Sequence, residues 1–329
     1  MVMVGTGLMG RHHLKNILKN HPHTVIPVIC EPSESNFLEV AELFEEVDRD
    51  LPENIRDLDQ LLDLHAQYLD AAFLVTPHAL HHDQTMACLE AGLDVLVEKP
   101  MVMNVAEAIS LIEARDRSGR LLVVGFDGGL SPAVRHARSI LTSGEAGDLF
   151  SISATIWQDW RQQTAGTWRQ DPAVSGGGFL FDTGAHMLNT VADLAGEDFL
   201  EVAAWFDDRD SAVEINGAAI GRLVSGALVT LHGSGETIPS CESNILVFCS
   251  ELILRVCAWG RFLEVQKRGS KSFEPVDITS SFGVWDEFLS IRQGLIPNPA
   301  PPEVGLRLAR LYDALKSSAE NNGRPTKIN

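Results

Sequence analysis

Asp182 and His186 stand four residues apart in VSGGGFLFDTGAHMLN, residues 174–189, directly after Gly176, Gly177 and Gly178. On a helix an acid and a histidine at i and i+4 share one face. We read a helix over 178–194, with Phe179, Leu180, Leu188 and Val191 as apolar contacts and Gly196 as its stop. Glycines at a helix start leave the backbone accessible to a cofactor or a sugar. Histidine exchanges protons near neutral pH. Oxidising an alcohol with a nicotinamide needs such a base, because the hydride goes to the cofactor and the proton does not. A third group, Lys99 in VLVEKPM, follows a buried apolar run. A lysine there is costly to bury unless it is paired or used. It suits a substrate oxygen that gains negative charge.

These groups need a scaffold. Over the first 125 residues, short apolar runs at 2–4, 24–30, 71–76, 94–100 and 121–126 alternate with amphipathic segments at 9–20, 34–46, 57–66, 79–91 and 104–117. Alternation of this kind predicts a doubly wound parallel sheet. GTGLMG follows the first run and opens the first helix. Gly5 permits the tight turn, Gly7 lets backbone approach a pyrophosphate, and Gly10 lets the helix pack on the sheet. The anion then rests on the amides of a helix N-terminus, beside Leu8 and Met9. The first run is short for a central strand, and we expect a few residues of the natural chain to precede Met1. Glu31 ends the second run, where an acid can bind a ribose and repel a 2′-phosphate. No Lys or Arg lies between Glu31 and Arg49, so NAD is expected over NADP. Glu98, Thr76, Pro77 and His81 are expected to line the same crevice at the strand ends.

After residue 126 the pattern changes. A helix with a glycine stop is predicted over 132–148. Longer β-type runs follow at 149–157, 200–207, 213–223, 226–235, 244–250, 252–259 and 261–268. Their spacing predicts a mostly antiparallel sheet. Helices are predicted at 284–293 and 302–320. The division expected is a nucleotide-binding domain over 1–122 and a substrate-binding, oligomer-forming domain over 123–329.

The 329 residues carry a formal net charge of −19, which repels nucleic-acid phosphates and anionic lipid. Neither kind of partner is expected. The five cysteines form no CxxC pair and read as buried free thiols. No secretion signal or membrane-length apolar stretch is read, so a cytoplasmic location is expected. His78, His81 and His82 suit one helix face, but only Asp83 joins them, and no metal site is expected.

GTGLMGRHH, TPHALH, EAGLDVLVEKP, SGEAGDL and WRQDPAVSGGGFLFDTGAH, in that order, resemble the Gfo/Idh/MocA oxidoreductases, named for glucose-fructose oxidoreductase and inositol dehydrogenase. The resemblance runs along nearly the whole chain. It implies a Rossmann domain followed by an α/β domain whose large open sheet forms subunit interfaces, hence a homodimer or homotetramer. It implies catalytic roles for Lys99, Asp182 and His186, and it places Trp168 and Arg169 near the nicotinamide. We expect His186 to be the base in oxidation. Asp182 would orient substrate or His186 and balance the lysine charge. The implied activity is hydride transfer between NAD and a small neutral sugar, cyclitol or related polyol. A redox-neutral enzyme that reduces bound NAD transiently, or an NAD-binding sensor, are the alternatives. In one stretch the chain departs from the pattern: GFDGGLSP, with Asp127, Gly128 and Gly129, replaces an arginine-bearing segment. A site that loses a cation and gains space and an acid disfavours an anionic sugar acid. Residues 156–168, rich in Trp and amide side chains, are expected to form a lid or pocket wall.

Overall fold

The computed structural model describes residues 1–328 and divides into two compact units. The first comprises Met1–Gly125 and Phe282–Gly305, the second Phe126–Ser281 and Leu306–Asn329.

The first unit holds six strands, β1 (Val2–Val4), β2 (Val28–Cys30), β3 (Glu53–Asn54), β4 (Ala71–Leu74), β5 (Asp94–Val97) and β6 (Leu122–Val124), in the order β3-β2-β1-β4-β5-β6. Every pairing is parallel. The apolar runs are strands because both faces are covered: all of β1, β2, β4 and β6 is buried. The covering helices are α1 (Leu8–Asn20), α2 (Glu34–Glu45), α3 (Leu58–His65), α4 (His78–Glu90) and α5 (Val105–Ser118). Their ends follow local chemistry. Ser33, Asp57 and Asn104 cap α2, α3 and α5 through side-chain oxygens. After α4, Gly92 takes a left-handed φ of 82°. With all strands parallel, the loops after β1, β2, β4 and β5 leave one edge of the sheet, and the glycine turn, Glu31, Thr76 and Lys99 lie on those loops.

The second unit is built on β7 (Leu149–Gln158), β8 (Phe199–Asp207), β9 (Asn216–Leu223), β10 (Leu228–Ser234), β11 (Cys241–Cys249), β12 (Leu252–Val256), β13 (Leu263–Lys267), β14 (Glu274–Pro275) and β15 (Thr326–Lys327). Their order is β14-β13-β12-β11-β7-β10-β9-β8-β15, and only β7 with β10 is parallel. Period-two alternation decides the faces. Ala219, Gly221, Leu223, Val229 and Leu231 point inward, while Ile220, Thr230 and His232 point outward. Helices α6 (Asp127–Leu130), α7 (Pro132–Thr142), α8 (Trp160–Gln163), α9 (Pro172–Ser175) and α10 (Gly184–Ala195) complete this part. Every residue of α10 from Gly184 to Leu194 is buried.

After the large sheet the chain returns to the first unit through α11 (Val284–Arg292), and α12 (Pro302–Glu320) carries it back. Trp285 explains the return: it stacks on Phe73 of β4 at 6.1 Å, and its indole N–H donates to Thr24 Oγ1 at 3.2 Å. Arg292 pairs with Asp94 at 2.7 Å. The sequence pattern places α11 and α12 closely, but nothing in it signals the return.

Three expectations change. The helix predicted from residue 178 begins at Gly184, because residues 178–183 form turns. The helix predicted over 132–148 ends at Thr142. Of the five free cysteines, Cys241 is half-exposed rather than buried. Burial pushes the Cys30 thiol to about 11 and the Cys88 thiol to about 12, so both stay protonated at neutral pH. No helix is long and apolar enough to cross a membrane among the described residues.

Candidate active site

Within the glycine turn the three glycines meet different constraints. Gly5 has φ +85°, and a Cβ on it would come 2.6 Å from the Val75 carbonyl oxygen. A Cβ on Gly10 would overlap the Gly5 carbonyl oxygen. Gly7 has an ordinary φ of −59°, and a Cβ there would meet nothing within 4 Å. No side chain caps α1, and Leu8 and Met9 at its start are 76% and 38% exposed. The helix start is thus open at Gly7, Leu8 and Met9. This is the geometry a pyrophosphate requires, and the residues fit a dinucleotide.

Glu31 is 4% exposed and holds this turn. Its Oε2 accepts from the Thr6 amide at 2.7 Å and the Thr6 hydroxyl at 2.9 Å, and its Oε1 from the Ser33 amide at 2.8 Å. A carboxylate has about four acceptor sites, so little capacity is left for the ribose expected there. Folding also brings in a cation that lies outside the interval 31–49. Arg11 donates to the Thr6 carbonyl and to Asn36 Oδ1, and pairs with Glu39 at 2.9 Å.

After β4, the Thr76 hydroxyl donates to Gln84 Oε1 at 2.5 Å and Pro77 precedes α4. His81, expected to contact the cofactor, is fully buried instead. Its ring nitrogens lie 2.8 Å from the carbonyl oxygens of Thr76 and Pro100. Burial holds its pKa below the ordinary value, so the neutral ring donates to one carbonyl at a time. It ties the loops after β4 and β5 together and offers no nitrogen to a ligand. After β5, Glu98 Oε1 lies 2.7 Å from His13 Nε2, and its Oε2 accepts from the Lys99 amide at 3.1 Å. Lys99 is half-buried, and the Lys99–Pro100 peptide bond is cis.

In the second unit, Asp182 is 5% exposed and its Oδ2 accepts two donors. Trp160 Nε1 lies 2.9 Å away and Arg169 Nε 3.2 Å away. The Arg169 guanidinium in turn lies over the Trp168 ring, 4.4 Å from its centroid. Trp168, Arg169 and Asp182 are thus one cluster, with Arg169 as a counter-ion of Asp182. Trp160 was expected in a stacking wall. It is 1% exposed and belongs to the core against Phe179. His186 lies in the first turn of α10, 7% exposed, between the rings of Phe126 at 6.2 Å and Trp259 at 5.8 Å. Asp182 precedes that helix, so a shared helical face is not what positions the two.

The glycine run answers to packing, not to ligand access. Gly176 takes a left-handed φ of 78°. A Cβ on Gly177 would overlap the Tyr312 hydroxyl, and one on Gly178 the Glu214 backbone. Gly128 and Gly129 do not open space either. A Cβ on Gly128 would overlap the Ala258 carbonyl and the Thr190 hydroxyl, and one on Gly129 would come 2.9 Å from Asp193 Oδ2. They let α6 press on α10. Sequence reading missed Trp160 as a partner of Asp182, and it missed Glu214 and Tyr312 altogether. No motif carries them, because their partners lie far along the chain.

A family model described as "Oxidoreductase family, NAD-binding Rossmann fold" matches residues 1–126, and the Gfo/Idh/MocA C-terminal-domain model matches residues 134–255. The chain belongs to the Gfo/Idh/MocA oxidoreductase family. Within this family, scyllo-inositol 2-dehydrogenase (NADP(+)) of Bacillus subtilis is 25% identical over 214 residues, 62% of this chain and 59% of the relative. The match thus spans about three fifths of that relative's length. Among solved structures, an aldose-aldose oxidoreductase from Caulobacter crescentus superposes with a TM-score of 0.83 at 20% identity, covering 99% of this chain and 98% of that one. A levoglucosan dehydrogenase bound to NADH gives 0.81 at 19%, covering 100% and 98%. These two likenesses establish the fold, a parallel six-stranded Rossmann sheet with a mostly antiparallel nine-stranded one.

Proposed function

We propose that the chain is an NAD-dependent oxidoreductase that moves a hydride between the cofactor and a hydroxyl or carbonyl carbon of a small neutral sugar, cyclitol or related polyol. The observation that carries this is the open, uncapped start of α1 at Gly7, on the same sheet edge as Lys99. Bound NAD supplies the carbon that accepts or returns the hydride. The Gly7–Gly10 amides hold its pyrophosphate. Lys99 donates to the substrate oxygen and stabilises its developing charge. His186 takes the hydroxyl proton in oxidation and returns it in reduction. Asp182, fixed by Trp160 and Arg169, orients the substrate. Trp168 carries Arg169 on its ring. The family names include sugar and cyclitol dehydrogenases, which supports this substrate class.

Glu31 favours NAD over NADP, since a buried carboxylate repels a 2′-phosphate. Trp205, Ile220 and Leu228 are about half-exposed on the outward face of the nine-stranded sheet, which supports a homodimer or homotetramer built on that face. Free thiols support a cytoplasmic location.

A panel of sugars and polyols with NAD or NADP, followed by absorbance of the reduced nicotinamide, tests the reading. Steady NADH formation is expected, with a loss of about 10²-fold or more in kcat for Lys99→Ala. Turnover without net NADH would place the chain among redox-neutral enzymes. Tight NAD binding with no turnover on any member of the panel would overturn the enzyme reading.

A further inference from the structure

We propose that Glu214 and Tyr312 are a positioning pair that sets the conformation of the Asp182 turn from beneath; this rests on the role proposed for Asp182. Glu214 grips the turn twice. Its Oε2 accepts the Gly178 amide at 2.8 Å, and its own carbonyl accepts the Phe179 amide at 2.8 Å. The turn passes the constraint upward: the Gly178 carbonyl accepts the Asp182 amide at 2.9 Å, and the Phe179 carbonyl accepts the Gly184 amide, the first residue of α10, at 2.7 Å. The Tyr312 hydroxyl occupies the space a Cβ on Gly177 would need, beside the Glu214-held turn, while its ring packs on Phe181 at 4.6 Å.

Packing closes the arrangement. Phe179 and Leu180 plug hollows in the large sheet where glycines replace side chains. A Cβ on Gly233 would come 2.5 Å from Leu180 Cδ2, and one on Gly235 would come 2.9 Å from Phe179 Cβ. A carboxyl is an expensive group to bury. Packing alone would be served by an apolar side chain. Glu214 instead places an acceptor where a tight glycine turn leaves an amide pointing into the core. The acidic residue next to the reacting groups is thus aimed by a second acid 32 positions further along the chain (214 − 182).

The experiment compares Glu214→Ala and Glu214→Gln with wild type for kcat, substrate KM, NAD affinity by calorimetry, and folding by urea denaturation. Displacing a positioned group by about 1 Å costs about 10²-fold in rate, so Glu214→Ala is expected to lower kcat by about that factor. NAD affinity should hold within about twofold, because the Gly5–Gly10 turn lies in the other unit. Glu214→Gln keeps an oxygen for the Gly178 amide and should recover kcat. A folded Glu214→Ala enzyme with wild-type kcat overturns the proposal, as does equal loss in the Ala and Gln variants. If Glu214→Ala does not fold, Tyr312→Phe decides: loss of kcat at unchanged NAD affinity supports the pair, and unchanged kcat overturns it. Asp182→Asn separates the two claims. Loss there alone overturns only the Glu214–Tyr312 role, and no loss in either overturns the role of Asp182.

Discussion

Two clusters of glycines serve opposite ends. In the first unit, Gly7 is open: its φ is one any residue adopts, and no atom beyond its chain neighbours lies within 4 Å of its missing Cβ. In the second, Gly177 and Gly178 are filled, by the Tyr312 hydroxyl and the Glu214 backbone. Both runs invite the same reading from sequence, bare backbone offered to a ligand. Within the first, Gly7 alone keeps that reading, since a Cβ on Gly5 or Gly10 would also collide with backbone. A glycine needed by the protein collides with the protein when given a side chain. A glycine needed by a ligand does not.

The sharpest way to break this contrast is Gly178→Ala. Its methyl group has no room against the Glu214 backbone, and overpacking against main chain costs about 3 kcal/mol or more. Urea denaturation should show a large fall in midpoint, and near-normal stability would mean that the turn yields. Gly7→Ala should behave in the reverse manner. Stability should stay within about 0.5 kcal/mol of wild type, while NAD affinity by calorimetry falls by about tenfold, or about 1.4 kcal/mol. A loss of stability with intact affinity would turn the comparison around. Trp160→Phe removes one donor from Asp182 and keeps most of the buried ring. A hydrogen bond to a charged group is worth about 1.5 kcal/mol in stability or somewhat more, and kcat should fall further than NAD affinity does.

The smallest effect concerns pH. Burial raises the Glu214 pKa above its ordinary 4.5, and the titratable group facing it, Tyr312, is raised well above 10.0 by burial and by Glu214. A carboxyl raised in the folded state stabilises fully below its ordinary value, and that contribution is lost as pH rises through the raised value. Glu214→Gln does not titrate. Wild type should therefore lose melting temperature relative to Glu214→Gln as pH increases from 4.5. Parallel curves would show that the carboxyl carries no strain.

Legibility tracked the distance over which each signal acts. Five of the six strands of the first sheet, the GTGLMG turn and the longer strands of the second unit were readable, because periods of two and 3.6 residues and the turn chemistry of glycine are local, whereas the two-residue strands β3, β14 and β15 carry no period. Helix α12 was placed at its observed ends, Pro302 and Glu320. The start of α10 was misplaced. Phe179 and Leu180 continue a helical pattern, yet they leave it to fill hollows at Gly217, Gly233 and Gly235. Gly128 and Gly129 were read as space and proved to be contact.

By itself the sequence determined the two kinds of sheet, the glycine turn at Gly5–Gly10, and the positions of Lys99, Asp182 and His186, to which the proposed function gives the chemistry. Tertiary structure alone decided what holds them. Trp160 and Arg169 fix Asp182, Glu31 closes the glycine turn, His81 becomes a tie between loops, and Glu214 with Tyr312 supports the second turn. The physical reason is that a buried polar group must find its partner wherever the fold brings one. Oε2 of Glu214 meets an amide 36 residues away, and no local pattern records that meeting.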